Sequence, residues 1–337
     1  MHMRLVSCLF VLLTLIACAP QFHPGGERLA SPRIGDHMLT TADQVRLPLR
    51  VWPAKNNPAK AIIVALHGFN DYSRAFEQPA QYWAESGLTV YAYDQRGFGE
   101  APHAGEWSDA TTMADDLNDA VQAVRQRHPD QPVFLLGSSM GAAVILTAQR
   151  NRTANRPTNI DGVILVGPAV WGPSTMNPLY RFMLWLGAHT MPANHVTGKG
   201  LRIKASDNIP MLRALGRDPL VLKSTRVDML YGLVGLMGNA LDSAAGLHHP
   251  ALVLAAGDDQ LIPSHAHQQL LNALTVERTE VRYPDGFHML LRDLQAKVVW
   301  RDILSWIEDR NAPLPSGLGR KIEFPVATSI VPSGHRE

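Results

Sequence analysis

Between Val133 and Ala148 the chain passes through the apolar run Val133-Phe134-Leu135-Leu136, the turn Gly137-Ser138-Ser139-Met140-Gly141, and a stretch of small and apolar residues. The run suits a strand covered on both faces, as in a parallel sheet, and Ala142 to Ala148 suits a helix packing back onto that sheet. A Gly-x-Ser-x-Gly turn between such a strand and helix has the form of a nucleophile elbow, which holds its serine in a strained backbone conformation. At Gly137 and Gly141 a β-carbon would collide with the neighbouring strand and helix. The bare pattern arises by chance in roughly one chain in ten of this length at average glycine usage, so the context carries the weight. A glycine-rich turn here can also cradle phosphate, but neither G-x-x-x-x-G-K-[ST] nor G-x-G-x-x-G occurs. Ser139 is the candidate nucleophile.

The flanking sequence extends the same architecture. Leu39 to Trp52 alternates loosely, as antiparallel edge strands do, and Ala59 to Leu66 is a central strand ending in the turn His67-Gly68-Phe69. Helical spacing follows over Tyr72 to Ser86, with Gly87 as its stop, then a strand over Leu88 to Tyr93 and a helix over Met113 to Arg127. Further strands lie at Gly162 to Val166, Ala251 to Ala256 and Val276 to Tyr283, with helices over about 264–274 and 292–310. Strands and helices alternating at short spacing predict a doubly wound, mostly parallel α/β sheet. Roughly eighty residues separate the strands at 162 and 251, far beyond a usual connection. That insertion is rich in Leu, Met and aromatics at 179–186 and 229–237, which predicts a helical cap with an apolar underside.

A serine needs a base to take its proton and a third group to fix the base's tautomer. Asp259 follows the strand ending at Ala256, and His288 follows the strand ending at Tyr283, both where loops present side chains at the carboxyl edge of a sheet. Ser, Asp, His is the chain order of α/β-hydrolases. Asp258 is adjacent to Asp259 and remains the alternative acid. The backbone N–H groups of Phe69 and Met140 are the candidate oxyanion donors, and His67 is expected to be structural. The histidine pairs His248-His249 and His265/His267 do not resemble metal ligands, so neither metal nor cofactor is expected.

Lys plus Arg number 31 against 30 Asp plus Glu, so no basic surplus points to nucleic acid. Both cysteines, Cys8 and Cys18, fall in the first twenty residues. Met1 to Arg4 is a short basic region, and Leu5 to Ile16 is apolar but too short to span a membrane comfortably, the pattern of a signal peptide. Leu15-Ile16-Ala17-Cys18 resembles a bacterial lipobox, in which cleavage falls before the cysteine and that cysteine is acylated. An ordinary secretory signal is the alternative. The resemblance implies a lipid-anchored protein of the cell envelope, and Ala19 resembles outer-membrane sorting.

Leu66-His67-Gly68-Phe69, Tyr93-Asp94-Gln95-Arg96-Gly97-Phe98-Gly99, Pro132 to Gly141, Asp259-Gln260-Leu261-Ile262-Pro263 and Gly286-Phe287-His288 together resemble the monoacylglycerol lipase and lysophospholipase branch of the α/β-hydrolases, also grouped with serine aminopeptidases. The likeness covers about residues 40 to 310. Ser138 and Phe98 stand where the family has His, Glu100 where it has Ser, and the glycine before the acid is displaced to Gly257. The resemblance implies a serine hydrolase of carboxylic esters, acting through an acyl-enzyme on monoacylglycerol or lysophospholipid. A short-chain carboxylesterase, a serine aminopeptidase and a non-enzymatic lipoprotein are the other readings. The chain divides into a signal peptide (1–17), a tether (18–38), the first part of an α/β-hydrolase core (39–169), a helical cap (170–249), the second part of the core (250–310) and a flexible tail (311–337).

Overall fold

The computed structural model describes residues 19–149, 159–200 and 203–323; the expected signal peptide, Cys18 and residues 324–337 lie outside the described residues. Four strands, β1 (Phe22–His23), β2 (Arg33–Gly35), β3 (Met38–Thr40) and β4 (Arg46–Trp52), precede the first parallel strand of the main sheet, β5 (Ala61–Leu66). A 3-10 turn leads into α1 (Glu77–Glu85), then β6 (Leu88–Tyr93), β7 (Trp107–Ser108), α2 (Ala110–Arg127), β8 (Val133–Ser138), α3 (Met140–Ala148) and β9 (Gly162–Val166). The insertion carries α4 (Pro178–Thr190), β10 (His195–Val196), α5 (Ile209–Arg217), β11 (Thr225–Arg226) and α6 (Val227–Ser243). The described chain closes with β12 (Ala251–Ala256), α7 (Ser264–Ala273), β13 (Arg278–Tyr283), α8 (Ala296–Glu308) and β14 (Arg320–Ile322).

Ten strands form one sheet in the order β14-β13-β12-β9-β8-β5-β6-β4-β3-β2. Strands β5, β6, β8, β9, β12 and β13 pair in parallel, while β14 at one edge and β4, β3 and β2 at the other run antiparallel. The continuous apolar runs of β5, β6 and β9 are buried at every position because helices cover both faces. In β4 Leu47 and Leu49 are buried while Arg46 and Arg50 are exposed, the alternation of a strand with one wet face. Helices α2, α3 and α6 pack on one side, around Met113, Leu117, Ile145 and Leu236. Helices α1 and α8 pack on the other, around Trp83, Trp300 and Trp306. Trp83 is fully buried and its indole N–H donates to the Trp300 carbonyl at 3.0 Å, so this large side chain leaves no unpaired polar atom. The connection from β5 goes to β6 on one side and the next strand, β8, lies on the other, so the strand order reverses at the carboxyl ends of β5 and β8. Open α/β sheets bind ligands in the crevice at such a switch point.

The structure departs from the sequence expectations in three places. The expected tether is packed on the body: β1 pairs with β7, the Gly25 N–H donates to Thr112 Oγ1 at 2.6 Å, and Arg28 donates to Asp119 at 2.6 Å. Residues 311–323, expected as the start of a flexible tail, bury Leu314 and place β14 on the open edge of β13, where Arg320 meets Glu280 at 2.6 Å. An unpaired edge is a template for any extended segment, and no pattern within three residues announces that use. In the cap, α6 buries Met229, Leu236, Met237 and Ala240, but α4 leaves Leu179, Tyr180, Phe182 and Met183 more than half exposed. Leu179, Tyr180 and Met183 therefore face outward rather than forming the expected underside, while Leu184 and Trp185 turn toward α6. A smaller difference concerns α2, which begins three residues before Met113 because the Asp109 carboxylate accepts hydrogen bonds from the Thr111 and Thr112 N–H groups. Among the described residues no helix is long and apolar enough to cross a membrane.

Candidate active site

Ser139 stands between the last residue of β8 and the first of α3, with φ 52° and ψ −111°. Positive φ at a non-glycine residue costs on the order of 1–3 kcal/mol and persists only where surrounding structure enforces it. Here the neighbours do so: the Ser139 N–H donates to Val166 of β9 at 2.8 Å, and the Ala169 N–H donates to the Ser139 carbonyl at 3.2 Å. A β-carbon at Gly137 would lie 2.4 Å from the Ala142 nitrogen, and one at Gly141 would lie 2.2 Å from the Leu66 carbonyl oxygen. The two glycines thus let helix and strand backbones approach more closely than any other residue permits.

His288, in the loop after β13, lies with Nε2 2.9 Å from Ser139 Oγ and Nδ1 2.7 Å from Asp259 Oδ2. The other carboxylate oxygen of Asp259 accepts from the Leu261 and Ile262 N–H groups at 2.8 and 2.9 Å. Burial opposes ionisation of Asp259, but the hydrogen bonds from His288, Ile262 and Leu261 outweigh it and hold the carboxyl below its ordinary range. An ionised carboxylate only accepts, so the imidazole proton resides on Nδ1 and the Nε2 lone pair faces the serine hydroxyl. Asp258 is exposed, and its backbone N–H donates to Gly286 at 3.0 Å; Asp259 is the acid that meets the histidine. Such a constellation can deprotonate a hydroxyl as it attacks a carbonyl and return the proton to a leaving group.

The turn after β5 comes close to this serine: a β-carbon at Gly68 would lie 3.5 Å from Ser139 Cβ. Phe69 follows in that turn, and Met140 is the first residue of α3, whose N–H has no acceptor within the helix. Both candidate oxyanion donors therefore belong to segments adjoining Ser139. His67 is fully buried beneath them, its Nδ1 2.8 Å from the Gly68 carbonyl and its Nε2 accepting the Gln95 N–H at 3.0 Å. Burial lowers its pKa, which keeps the ring neutral in this structural role. Phe98, standing where the resembled family has His, packs edge-on to both His67 and Phe69 with centroids 5.6 Å apart.

Sequence reasoning missed the groups that hold the His288 loop. Asp293 accepts the Phe287 N–H at 2.8 Å and the Ser206 hydroxyl at 2.6 Å, while Asn208 donates to the Arg292 carbonyl at 2.9 Å. Met289 donates to Ala205 at 3.0 Å, and Arg292 pairs with Asp71 near the Gly68 turn. Cap residues 205–208 thus brace the loop that carries the base. An aspartate five residues after His288 was the available signal, but its cap partner Ser206 lies 87 positions away.

Residues 57–295 match the family described as serine aminopeptidase, S33. The monoacylglycerol lipase of Mycolicibacterium smegmatis is 25% identical over 292 residues, covering 83% of this chain and 99% of the relative. The monoglyceride lipase of Rattus norvegicus is 28% identical, covering 81% of this chain and 90% of the relative. Among solved structures, a soluble variant of monoglyceride lipase from Saccharomyces cerevisiae, in complex with a substrate analogue, superposes with a TM-score of 0.67 at 18% identity, covering 87% of this chain and 96% of that one.

Proposed function

Since the chain belongs to the serine aminopeptidase S33 family and is a serine hydrolase with the α/β-hydrolase fold, we propose that it cleaves monoacylglycerol through an acyl-enzyme formed on Ser139. The observation that carries this reading is the hydrogen-bonded chain from Asp259 through His288 to Ser139, at 2.7 and 2.9 Å. In the proposed first step Ser139 Oγ attacks the ester carbonyl carbon while His288 Nε2 takes the hydroxyl proton. The Phe69 and Met140 N–H groups receive the oxyanion. Collapse expels the alcohol, which takes the proton from Nε2, and a water molecule then releases the fatty acid by the same sequence. Asp259 orients His288 and stabilises the imidazolium without itself being protonated.

The curated lipases among the relatives support the lipid substrate, and so does the apolar surface around the cap. The rings of Phe69, Phe98 and Trp107 pack against one another beside the oxyanion turn, and Trp107 also lines an apolar cavity of about 640 Å³ between α4 and α6, with Phe182, Trp185, Tyr231 and Leu236. Lysophospholipid shares the single acyl chain and is the companion substrate in this proposal. An aminopeptidase needs free carboxylates for the substrate's amine, whereas Asp218 accepts the Tyr72 hydroxyl at 2.8 Å and Asp228 pairs with Arg226 at 2.6 Å. Each methylene buried contributes about 0.8 kcal/mol, so four added carbons are expected to raise kcat/KM by up to roughly 200-fold. The measurement is kcat/KM against acyl length with monomeric monoacylglycerols. A profile peaking at acetate or butyrate identifies a short-chain esterase instead, and faster turnover of amino-acid anilides identifies an aminopeptidase.

The proposal extends to location: Cys18 is acylated after removal of residues 1–17, and the enzyme resides on a cell-envelope membrane, with its exposed α4 face suited to a lipid surface. Cys18→Ser is expected to shift the protein from the membrane fraction to the soluble one. Mass spectrometry that finds the mature chain beginning elsewhere, or unmodified at Cys18, rejects this assignment.

A further inference from the structure

The two oxyanion donors are held in different ways. Met140 opens α3, which is buried along its whole length, whereas Phe69 lies in a turn that the cap contacts. The Asp71 N–H closes that turn on the Gly68 carbonyl at 3.3 Å, and of the two central residues only Asn70 has positive φ, at 64°. This is the pattern of a type II turn, which takes Gly or Asn at its third position. The core fixes one side of it: the His67 ring meets the Gly68 carbonyl at 2.8 Å, and Asp71 pairs with Arg292. Asn70 is held by the cap. The Leu222 N–H donates to the Asn70 carbonyl at 3.0 Å, Asn70 Nδ2 donates to the Thr225 hydroxyl at 2.9 Å, and that hydroxyl lies 3.3 Å from Asn70 Oδ1. We propose that Asn70 and Thr225 are positioning residues for the reaction, a clasp between cap and turn that keeps the Phe69 N–H aimed at the reacting carbonyl.

The clasp ends on a braced part of the cap. Thr225 is buried and pairs across β11 with Val196 of β10. Just after it, the Val227 N–H donates to the Asn194 carbonyl at 2.9 Å and the Asp228 N–H to the Pro192 carbonyl at 3.1 Å, fixing the start of α6 to the segment before β10. Arg226, between them, pairs with Asp228 at 2.6 Å.

Asn70 is the strained member of the turn, because the left-handed region is uncommon for any residue with a β-carbon. Released from Thr225, it can return to the ordinary region, and type I and type II turns differ by a flip of the peptide unit between their central residues, here Phe69 and Asn70. Such a flip takes the Asn70 side of the turn away from its cap partners and shifts Phe69. An oxyanion donor acts at about 2.7–3.1 Å, and a misplacement of about 1 Å can cost on the order of 10²-fold in rate. Cap residues 205–208 already brace the His288 loop, so the same insertion supports the base on one side and the oxyanion donor on the other.

The inference rests on the hydrolytic reading of the site, with Phe69 as an oxyanion donor. Its test is Thr225→Val, which keeps the shape of a buried side chain and removes the hydroxyl. With a soluble ester, kcat is expected to fall on the order of 10-fold, less than the 10²–10³-fold that loss of a whole oxyanion donor costs, with KM little changed. Affinity for an alkyl trifluoromethyl ketone, whose hemiketal with Ser139 carries the oxyanion, is expected to weaken by a similar factor. Thr225→Ser keeps the hydroxyl and should recover most of both losses. Asn70→Gly accepts the left-handed turn without the clasp, so a second folded variant is at hand, and combining it with Thr225→Val should add little, since both break the same bond. A raised KM with kcat intact, or a lowered melting temperature with both constants intact, makes the clasp a fastener of the cap only and overturns the inference. A parent chain that neither hydrolyses the ester nor binds the ketone overturns the hydrolytic reading, and the inference with it.

Discussion

Ser139→Ala is expected to lower ester turnover by on the order of 10⁶-fold while leaving the thermal midpoint unchanged. Once the nucleophile is gone, only binding and the oxyanion donors remain to assist attack by water. The fold should not notice the change, because the Ser139 hydroxyl meets the His288 ring while the elbow is held by backbone bonds to Val166 and Ala169. Alanine at this position carries the same positive φ as serine and adds no atom. Ser138→Ala, at the last residue of β8, is the control and should retain most activity. The measurement is kcat with a soluble ester under single-turnover and steady-state conditions, alongside a melting curve for each variant. Activity lost at Ser138 and kept at Ser139 would mean that the elbow presents the other hydroxyl.

Asp259→Asn should cost on the order of 10⁴-fold in turnover, and the reason lies in which nitrogen of His288 carries the proton. The asparagine carbonyl can keep the bonds from Leu261 and Ile262, which turns its amide N–H toward His288 Nδ1. That donor favours the tautomer with the proton on Nε2, where it faces Ser139 Oγ and blocks general-base action. Asp258→Asn should be mild, since that side chain is exposed and its backbone bond to Gly286 survives. Comparing kcat/KM for the two variants checks this directly. Equal losses would place the orienting charge outside Asp259, and loss confined to Asp258 would reject the assignment.

Much of the architecture was legible because its causes are local. The buried strands read as unbroken apolar runs, and the elbow read as two glycines around a serine, since a backbone that must pass within van der Waals distance of another admits no β-carbon. The positions of Asp259 and His288 were legible as residues just past parallel strands. Which of two adjacent aspartates turns inward was not. That depends on Asp259 folding back over the Leu261 and Ile262 N–H groups and on the register of β12 beside β13, which brings the two loops together.

The sequence by itself determined the alternation of strand and helix, the elbow and the order of the three candidate site residues, because short-range sterics and the period of apolar burial act within a few residues. Tertiary structure alone decided the rest. It set β14 on the edge of β13 and β1 beside β7, turned most apolar residues of α4 outward, and braced the His288 loop with Ser206 and Asp293. Each of these depends on a partner supplied from elsewhere in the fold. A hydrogen-bonding edge, an exposed face or a braced loop has no signature in one segment, because its energy exists only when two distant segments meet.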